Sequence, residues 1–75
     1  MITVKDLCDN IEMQGNIVVR AFNCKDEVIA EIPLEHCVAE WILYSEVKYM
    51  YVEHVDIYNM TDAPAIIIEI REEDD

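Results

Sequence analysis

The 75-residue chain has one glycine, two prolines and five basic side chains, and it has no apolar stretch long enough to span a membrane. A single glycine excludes the glycine-rich loops that bind nucleotide phosphates, because such loops expose the backbone amides of several glycines. The first residues also lack the basic and then apolar regions of a signal peptide. We therefore expect a soluble cytoplasmic protein that inserts into no membrane.

The cysteines are few, odd in number and without a close pair. Cys8, Cys24 and Cys37 do not form the even framework of a disulfide-stapled secreted domain, so we expect reduced thiols that act as small hydrophobic side chains. A metal site needs several ligands held together, yet His36 and Cys37 are sequence neighbours and His54 lies on another predicted element. We expect no native metal site and no cofactor.

The residue pattern contains no catalytic constellation. A chain this short buries only about 60% of the surface that its unfolded form exposes, which leaves little room for an enclosed catalytic cleft. Carboxylate pairs are abundant because 17 acidic residues are present, so they do not indicate acid–base chemistry. We expect a protein that is not an enzyme.

Apolar and acidic side chains dominate the composition. The chain is 53% hydrophobic, and its 17 acidic and 5 basic residues give a formal net charge of −12. The apolar fraction predicts one packed domain over residues 1–71, followed by an acidic tail over residues 72–75. This negative charge repels DNA, RNA and anionic membranes, but it is compatible with binding to a basic protein. The simplest alternative role of the charge is to keep a small apolar domain soluble.

Hydrophobic spacing predicts two helices and four strands. Thr3 as N-cap and Asp6 near the capping-box position, followed by apolar residues at helical spacing, predict an amphipathic helix over residues 3–13. Gly15 follows, where a helix C-cap needs a residue that tolerates positive φ. The remaining predicted elements are a β-hairpin with strands over 17–24 and 28–32, a short helix over 34–44, a strand over 47–59 that bends near 53–54, a turn over 60–64 and a last strand over 65–71.

This α-β-β-α-β-β order predicts a small α+β domain in which an antiparallel sheet packs one face against both helices. Alternation along the strands assigns side chains to the two faces. The residues that we expect on the helix-facing side are Ile17, Val19, Ala21, Val28, Ala30, Ile32, Val47, Tyr49, Val55, Ile57, Ile66, Ile68 and Ile70.

The opposite sheet face would carry more apolar groups than contact with solvent requires. Contiguous exposed apolar area often marks a contact surface, so this face is the candidate interface of a homodimer. Its candidate residues are Val18, Phe22, Met50, Val52 and Ile67. A slip of one residue in the strand register would exchange the two faces.

Acidic side chains recur at spaced points along the predicted elements. On a rigid scaffold, spaced carboxylates imitate a series of phosphates and attract the arginines and lysines of a partner. The helix would hold Asp6, Asp9 and Glu12 in a fixed arrangement, which favours these three as the main contact. The other candidates are Asp26, Glu27, Glu69, Glu72 and Glu73.

Two segments carry a resemblance to known proteins. With Met1-Ile2-Thr3-Val4-Lys5-Asp6-Leu7, followed by Gly15-Asn16-Ile17-Val18-Val19-Arg20, the chain resembles short acidic uncharacterised proteins of phages and mobile elements of Firmicutes. Some small acidic proteins of that kind are anti-CRISPR or other anti-defence inhibitors that block a nucleic-acid-binding groove. The resemblance implies a nucleic-acid mimic that occupies the basic surface of a partner protein in the cytoplasm of a bacterial host. The alternative is a small homodimeric structural or assembly module whose acidity serves only solubility.

Overall fold

The computed structural model describes residues 1–37, 39–57 and 60–72, and for residues 55–57 and 60–62 it describes the backbone alone. In chain order, the elements are α1 (Val4–Asn10), β1 (Ile17–Phe22), β2 (Val28–Pro33), a 3-10 turn (Leu34–His36), α2 (Glu40–Leu43), β3 (Tyr49–Ile57) and β4 (Met60–Arg71). The predicted α+β class is confirmed. The 3-10 turn and α2 together stand where one helix was predicted.

The four strands form one mixed sheet in the order β2-β1-β4-β3. Its β1–β2 and β3–β4 pairs are antiparallel, whereas β1 and β4 are parallel, so the prediction of a wholly antiparallel sheet is wrong. Strand β4 lies inside the sheet because Ile66–Ile68 and Ile70 give it apolar side chains on both faces, and Ile67 and Ile68 are fully buried. Such a run is typical of a strand covered on both sides.

The main core lies between the sheet and the helices. Val4 and Leu7 of α1 and Ile42 of α2 pack on buried side chains of β1 and β4. Those strand residues are Ile17, Val19, Ala21, Ile68 and Ile70, as alternation predicted for one face.

Helix α1 begins as predicted and ends early. The Thr3 hydroxyl accepts the Asp6 backbone N–H, and the Asp6 carboxylate accepts the Thr3 N–H, which completes the capping box. The helix stops at Asn10 because Ile11 has an extended backbone, whereas residues up to 13 were predicted to be helical. Gly15 has a φ of +94°, but it lies in the connection to β1 and is not the helix C-cap.

The predicted helix over residues 34–44 is two short pieces, the 3-10 turn and the four-residue α2. The helix breaks because Cys37 and Ala39 both have extended backbones, and Val38 lies outside the described residues. Within α2, Ile42 is buried and Trp41 is exposed, so Trp41 is not part of the core.

In the β3–β4 hairpin, β4 is longer than predicted. Strand β4 begins at Met60, so the predicted turn over residues 60–64 belongs to the strand, and the predicted tip residues Tyr58 and Asn59 lie outside the described residues. Pro64 is tolerated because β4 pairs only with β3 at that position, and its pairing with β1 starts at Ile66. The register irregularity lies between Val55 and Ile57, not at the predicted bend near residues 53–54.

The predicted faces of β3 are one residue out of register. Met50 pairs with Ile68 and Val52 pairs with Ile66, so both lie on the helix side of the sheet, while Tyr49 lies on the other side. Met50 and Val52 are nevertheless exposed, by 47% and 69%. The predictions for Val55 and Ile57 concern side chains outside the described residues.

Candidate functional site

The face of the sheet opposite the helices, here called the open face, is not the bare apolar surface that was predicted. Val18 and Ile67 lie directly opposite each other on β1 and β4, and they are only 3% and 0% exposed. In the described part of the chain, the helices pack on the other side of the sheet. Neighbouring side chains of the sheet itself must therefore cover this pair.

Arg20 supplies much of that cover. Its Nε donates to Glu31 Oε2 on β2 at 3.1 Å, and its Nη1 donates to Glu53 Oε2 on β3 at 2.9 Å. Because β4 separates β1 from β3 and neighbouring strands lie about 4.8 Å apart, the Arg20 side chain has to cross β4. The register places Ile67 under this path, since Ile67 lies between the Arg20 and Glu53 levels of the sheet.

Arg20, Glu31 and Glu53 form a partly buried ion-pair network. The hydrogen bond to Glu53 is the largest cause that raises the Arg20 pKa above its ordinary value, with smaller contributions from Glu31 and Tyr51. The Arg20 side chain is 12% exposed, whereas the Glu31 and Glu53 side chains are 44% and 46% exposed. The guanidinium is thus enclosed, and the two carboxylates that hold it face the solvent.

A second polar pair on the open face is formed by Tyr51 and Glu69. The Tyr51 hydroxyl donates to Glu69 Oε1 at 3.1 Å, and Glu69 is largely buried. Burial raises the pKa of Tyr51, and the hydrogen bond with Arg20 acts in the opposite direction. Tyr51 also packs on the Val18 and Ile67 cluster, so its ring supplies apolar cover while its hydroxyl is satisfied.

Arg71 closes one end of the open face. It forms an ion pair with Asp26 of the β1–β2 turn, and it lies over the Phe22 ring with 5.5 Å between the guanidinium carbon and the ring centroid. Its Nη2 is also 3.8 Å from Glu69 Oε2. Phe22, predicted to lie in a dimer interface, therefore already contacts a cation of its own chain.

The helix carboxylates do not form the predicted rigid trio. The Asp6 carboxylate accepts the Thr3 N–H at 2.9 Å. Hydrogen bonds with Thr3 lower the pKa of Asp6. Asp9 forms an ion pair with Lys5, and Glu12 lies beyond the end of α1. Two of the three acids are thus engaged within the helix, and the third is not on it.

The remaining acidic candidates do not form one cluster, although Asp26 and Glu69 both contact Arg71. Glu27 accepts the Asn23 side-chain amide at 3.0 Å, and Asp26 pairs with Arg71. Glu72 is exposed, and its backbone N–H donates to the Phe22 carbonyl, while Glu73 lies outside the described residues. Glu69 is part of the open face.

A shallow groove of about 540 Å³ lies beside α1 and the 3-10 turn. Apolar side chains that include Ile11, Met13 and Leu34 line it, together with the acids Glu12 and Glu35. Cys8 also lines this groove. The most buried thiol is that of Cys37, whose pKa is raised by burial, and the structure shows no disulfide bond between Cys8, Cys24 and Cys37.

Within the described ranges, no three or more His, Cys, Asp or Glu side chains are grouped as metal ligands. No helix in the part of the chain that the structure describes is long and apolar enough to cross a bilayer.

Sequence reasoning missed Arg20 and Tyr51 as the organisers of the open face. A signal was present, since Arg20 is the single charge within the apolar run of β1 and alternation puts it on one face with Glu31 and Glu69. The contact with Glu53 could not be read from alternation, because it joins strands that are not neighbours.

Comparisons of the chain with protein-family models, with curated proteins and with solved structures found no match.

Proposed function

We propose that this protein is a non-catalytic acidic interaction protein that binds the basic nucleic-acid-binding surface of a partner protein through its open face. In a bacterial cell, occupation of that surface would inhibit the partner, which is the role that the resemblance to phage and mobile-element proteins implies. The observation that carries the proposal is the pair of half-exposed carboxylates, Glu31 and Glu53, that Arg20 holds in place.

Fixed carboxylates are better ligands for a basic surface than mobile ones. A side chain that is already ordered loses less conformational entropy on binding. Arg20 orders Glu31 and Glu53 in the free protein, and the tight β1–β2 turn and Arg71 together fix Asp26. A partner's arginines would meet oxygen atoms that are already in position.

The charge balance of the open face favours a cationic partner. Four described carboxylates, those of Asp26, Glu31, Glu53 and Glu69, surround two guanidinium groups, those of Arg20 and Arg71. Each guanidinium already contacts two of these carboxylates, so the four carboxylates outweigh the two guanidinium groups and the cluster is net negative. The whole chain adds long-range attraction through its net charge of −12.

The proposal is tested by capture from a lysate of the natural host on the immobilised protein. We expect a basic nucleic-acid-binding protein to elute as salt rises, because exposed charge pairs are screened, and free DNA or RNA should compete with it. Retention of the captured protein at high salt, or no competition by nucleic acid, would contradict the proposal.

Matched variants identify the surface. The E31Q/E53Q protein removes two charges from the open face, and E40Q/E72Q removes two exposed charges from elsewhere. We expect the first variant to weaken binding at least about tenfold and the second to weaken it much less, since local contacts exceed the effect of net charge. Equal weakening by both would assign binding to net charge alone and would reject the open face.

A further inference from the structure

The outer side of β3, here called the β3 edge, is flanked by exposed apolar side chains in the described structure. Strand β3 ends the sheet order, and its described pairing is with β4. Five of the ten large apolar side chains that are exposed lie on β3 or on the chain start beside it. They are Met1, Ile2, Tyr49, Met50 and Val52.

The chain start already pairs with the approach to this edge. The Val47 N–H donates to the Ile2 carbonyl at 2.8 Å, and Thr3 forms an antiparallel bridge with Glu46. The next amide, that of Lys48, donates in the opposite direction to the Glu69 carbonyl on β4 at 2.9 Å. The outer side of this segment therefore accepts an antiparallel strand, and the chain start covers it only as far as Lys48.

Backbone alternation identifies the groups that lie beyond that cover. The Ile66 and Glu72 amides of β4 donate to the β1 side, so the odd-numbered residues of β4 turn their N–H and C=O groups toward β3. Tyr49, Tyr51 and Glu53 pair with those odd-numbered residues, so the N–H and C=O groups that point outward from β3 are those of Met50 and Val52. An uncovered edge with unpaired N–H and C=O groups is a template for another strand.

The other sheet edge carries features that oppose such pairing. Strand β2 has six residues, ends at Pro33 and shifts register against β1 near Phe22. Proline, short length and bulges are the usual protections of an edge. By contrast, β3 has nine residues and keeps regular register with β4 from Tyr49 to Val55.

We propose that two copies of this chain associate through the β3 edge, with antiparallel pairing of the two β3 strands about a twofold axis at Tyr51. A twofold axis perpendicular to the sheet pairs residues of the same face, so Tyr51 faces Tyr51 of the second copy and Met50 faces Val52 of the second copy. Met50 and Val52 of the two copies then form reciprocal hydrogen-bonded pairs across the interface. The product is a continuous eight-stranded sheet.

The chemistry of the segment identifies a second copy as the occupant. Residues 47–52 contain no acidic side chain and include Lys48, although the chain as a whole carries −12. In the Tyr51-centred register, Glu53 faces Tyr49, so no two acids are opposed over residues 49–53. The two Met50–Val52 pairs bury the exposed apolar side chains against each other, and the interface continues the antiparallel pairing that the chain start begins.

This self-association rests on other observations than the proposed function does, and the two interactions respond to salt in opposite directions. Each copy carries −12, so salt screens the repulsion between copies and strengthens the dimer. The same salt weakens a contact with a basic partner.

Analytical ultracentrifugation of the full chain over a range of concentrations, at low and at high salt, tests the proposal. We expect the mass to rise from that of the 8.8 kDa monomer toward twice that value, and to rise at lower protein concentration in high salt. M50K/V52K places lysines on the β3 edge and should raise the dimer dissociation constant at least about tenfold. V28K/I29K is the matched control, because it changes two exposed apolar residues on the other sheet edge.

A chain that stays monomeric at the highest concentration in high salt would overturn the proposal. Equal loss of dimer in both double variants would do the same. Amide hydrogen exchange of the unmodified protein gives a second readout that needs no variant. The outward amides of Met50 and Val52 should exchange more slowly as concentration rises, and unchanged exchange in a sample shown to be dimeric would place the interface elsewhere.

Discussion

Arg20 and Glu53 form an ion pair although their strands are not neighbours, with 2.9 Å between Nη1 and Oε2. The pair crosses β4 and covers Ile67, a side chain that no helix covers in the described structure. A sheet with helices on one side usually leaves its other face to water. Here an arginine and a tyrosine exclude water from the apolar centre of that face.

Replacement of Arg20 by lysine should destabilise the protein. Lysine keeps the charge, but it lacks the planar fork that reaches Glu31 and Glu53 together. We expect a loss of about 1–2 kcal/mol in the free energy of unfolding, measured by urea titration, because the network is partly buried. Lys5→Arg, at an exposed pair with Asp9, should change stability by less than about 0.5 kcal/mol and serves as the control. Equal stability of the Arg20→Lys and unmodified proteins would show that one contact suffices.

Tyr51 should make the protein sensitive to alkali. Its folded-state pKa is raised above 10.0 chiefly by burial, so the folded protein prefers the neutral phenol. The associated stability is present below the ordinary tyrosine pKa and is lost as pH rises through the folded-state value. The difference in unfolding free energy between the unmodified and Tyr51→Phe proteins should therefore shrink as pH rises above about 10. Tyr49→Phe removes an exposed hydroxyl and should follow the unmodified protein; if it also loses the alkaline transition, the assignment to Tyr51 is wrong.

Asp6 should make the stability of the protein depend on pH in the acidic range, where stability is lost as pH falls. Its pKa is lowered from 3.8 by hydrogen bonds with Thr3, so its stabilising effect is present above 3.8 and is lost as pH falls through the folded-state pKa. Asp6→Asn keeps the shape of the side chain and removes the charge. We expect the variant to be less stable at neutral pH and the difference to disappear in acid, as followed by thermal unfolding. Glu12→Gln makes the same change of charge outside the helix, and a similar pH dependence in that protein would point to net charge as the cause.

Gly15→Ala tests the connection between α1 and β1. The φ of +94° is costly for any residue with a Cβ, but no atom lies within 4 Å of the place that a Cβ would occupy. The cost is therefore that of the backbone alone, about 1–2 kcal/mol, and it should appear in denaturant unfolding. Gln14→Ala, at the preceding exposed position, should have a much smaller effect. An unchanged Gly15→Ala stability would indicate that this connection adopts another backbone conformation.

The sequence pattern predicted the elements that depend on contacts between residues close together in the chain. The capping box of Thr3 and Asp6 lies within one helical turn, and the β1–β2 hairpin is formed by adjacent runs of β-branched residues. The parallel pairing of β1 with β4 could not be predicted in this way, because it joins residues that are far apart in sequence. Three consecutive isoleucines, Ile66–Ile68, were the available sign that β4 is buried on both faces.

The candidate site was predicted less well than the fold. A shift of one residue in β3 moved Met50 and Val52 to the helix side of the sheet and brought Tyr51 and Glu53 to the open face. The acids of α1 were expected to face a partner, but the Thr3 amide and Lys5 engage two of them. Such contacts depend on the position of individual donors, which spacing alone does not specify.

The central position of β4 has a consequence for synthesis of the chain. Strand β1 and strand β3 are not hydrogen-bonded neighbours, and β4 lies between them in the sheet. A nascent chain that ends before residue 60 holds the β1–β2 hairpin and β3 but lacks the strand that joins them. We therefore expect the domain to fold only after residues 60–71 have left the ribosome, in one late step and not progressively from its first helix.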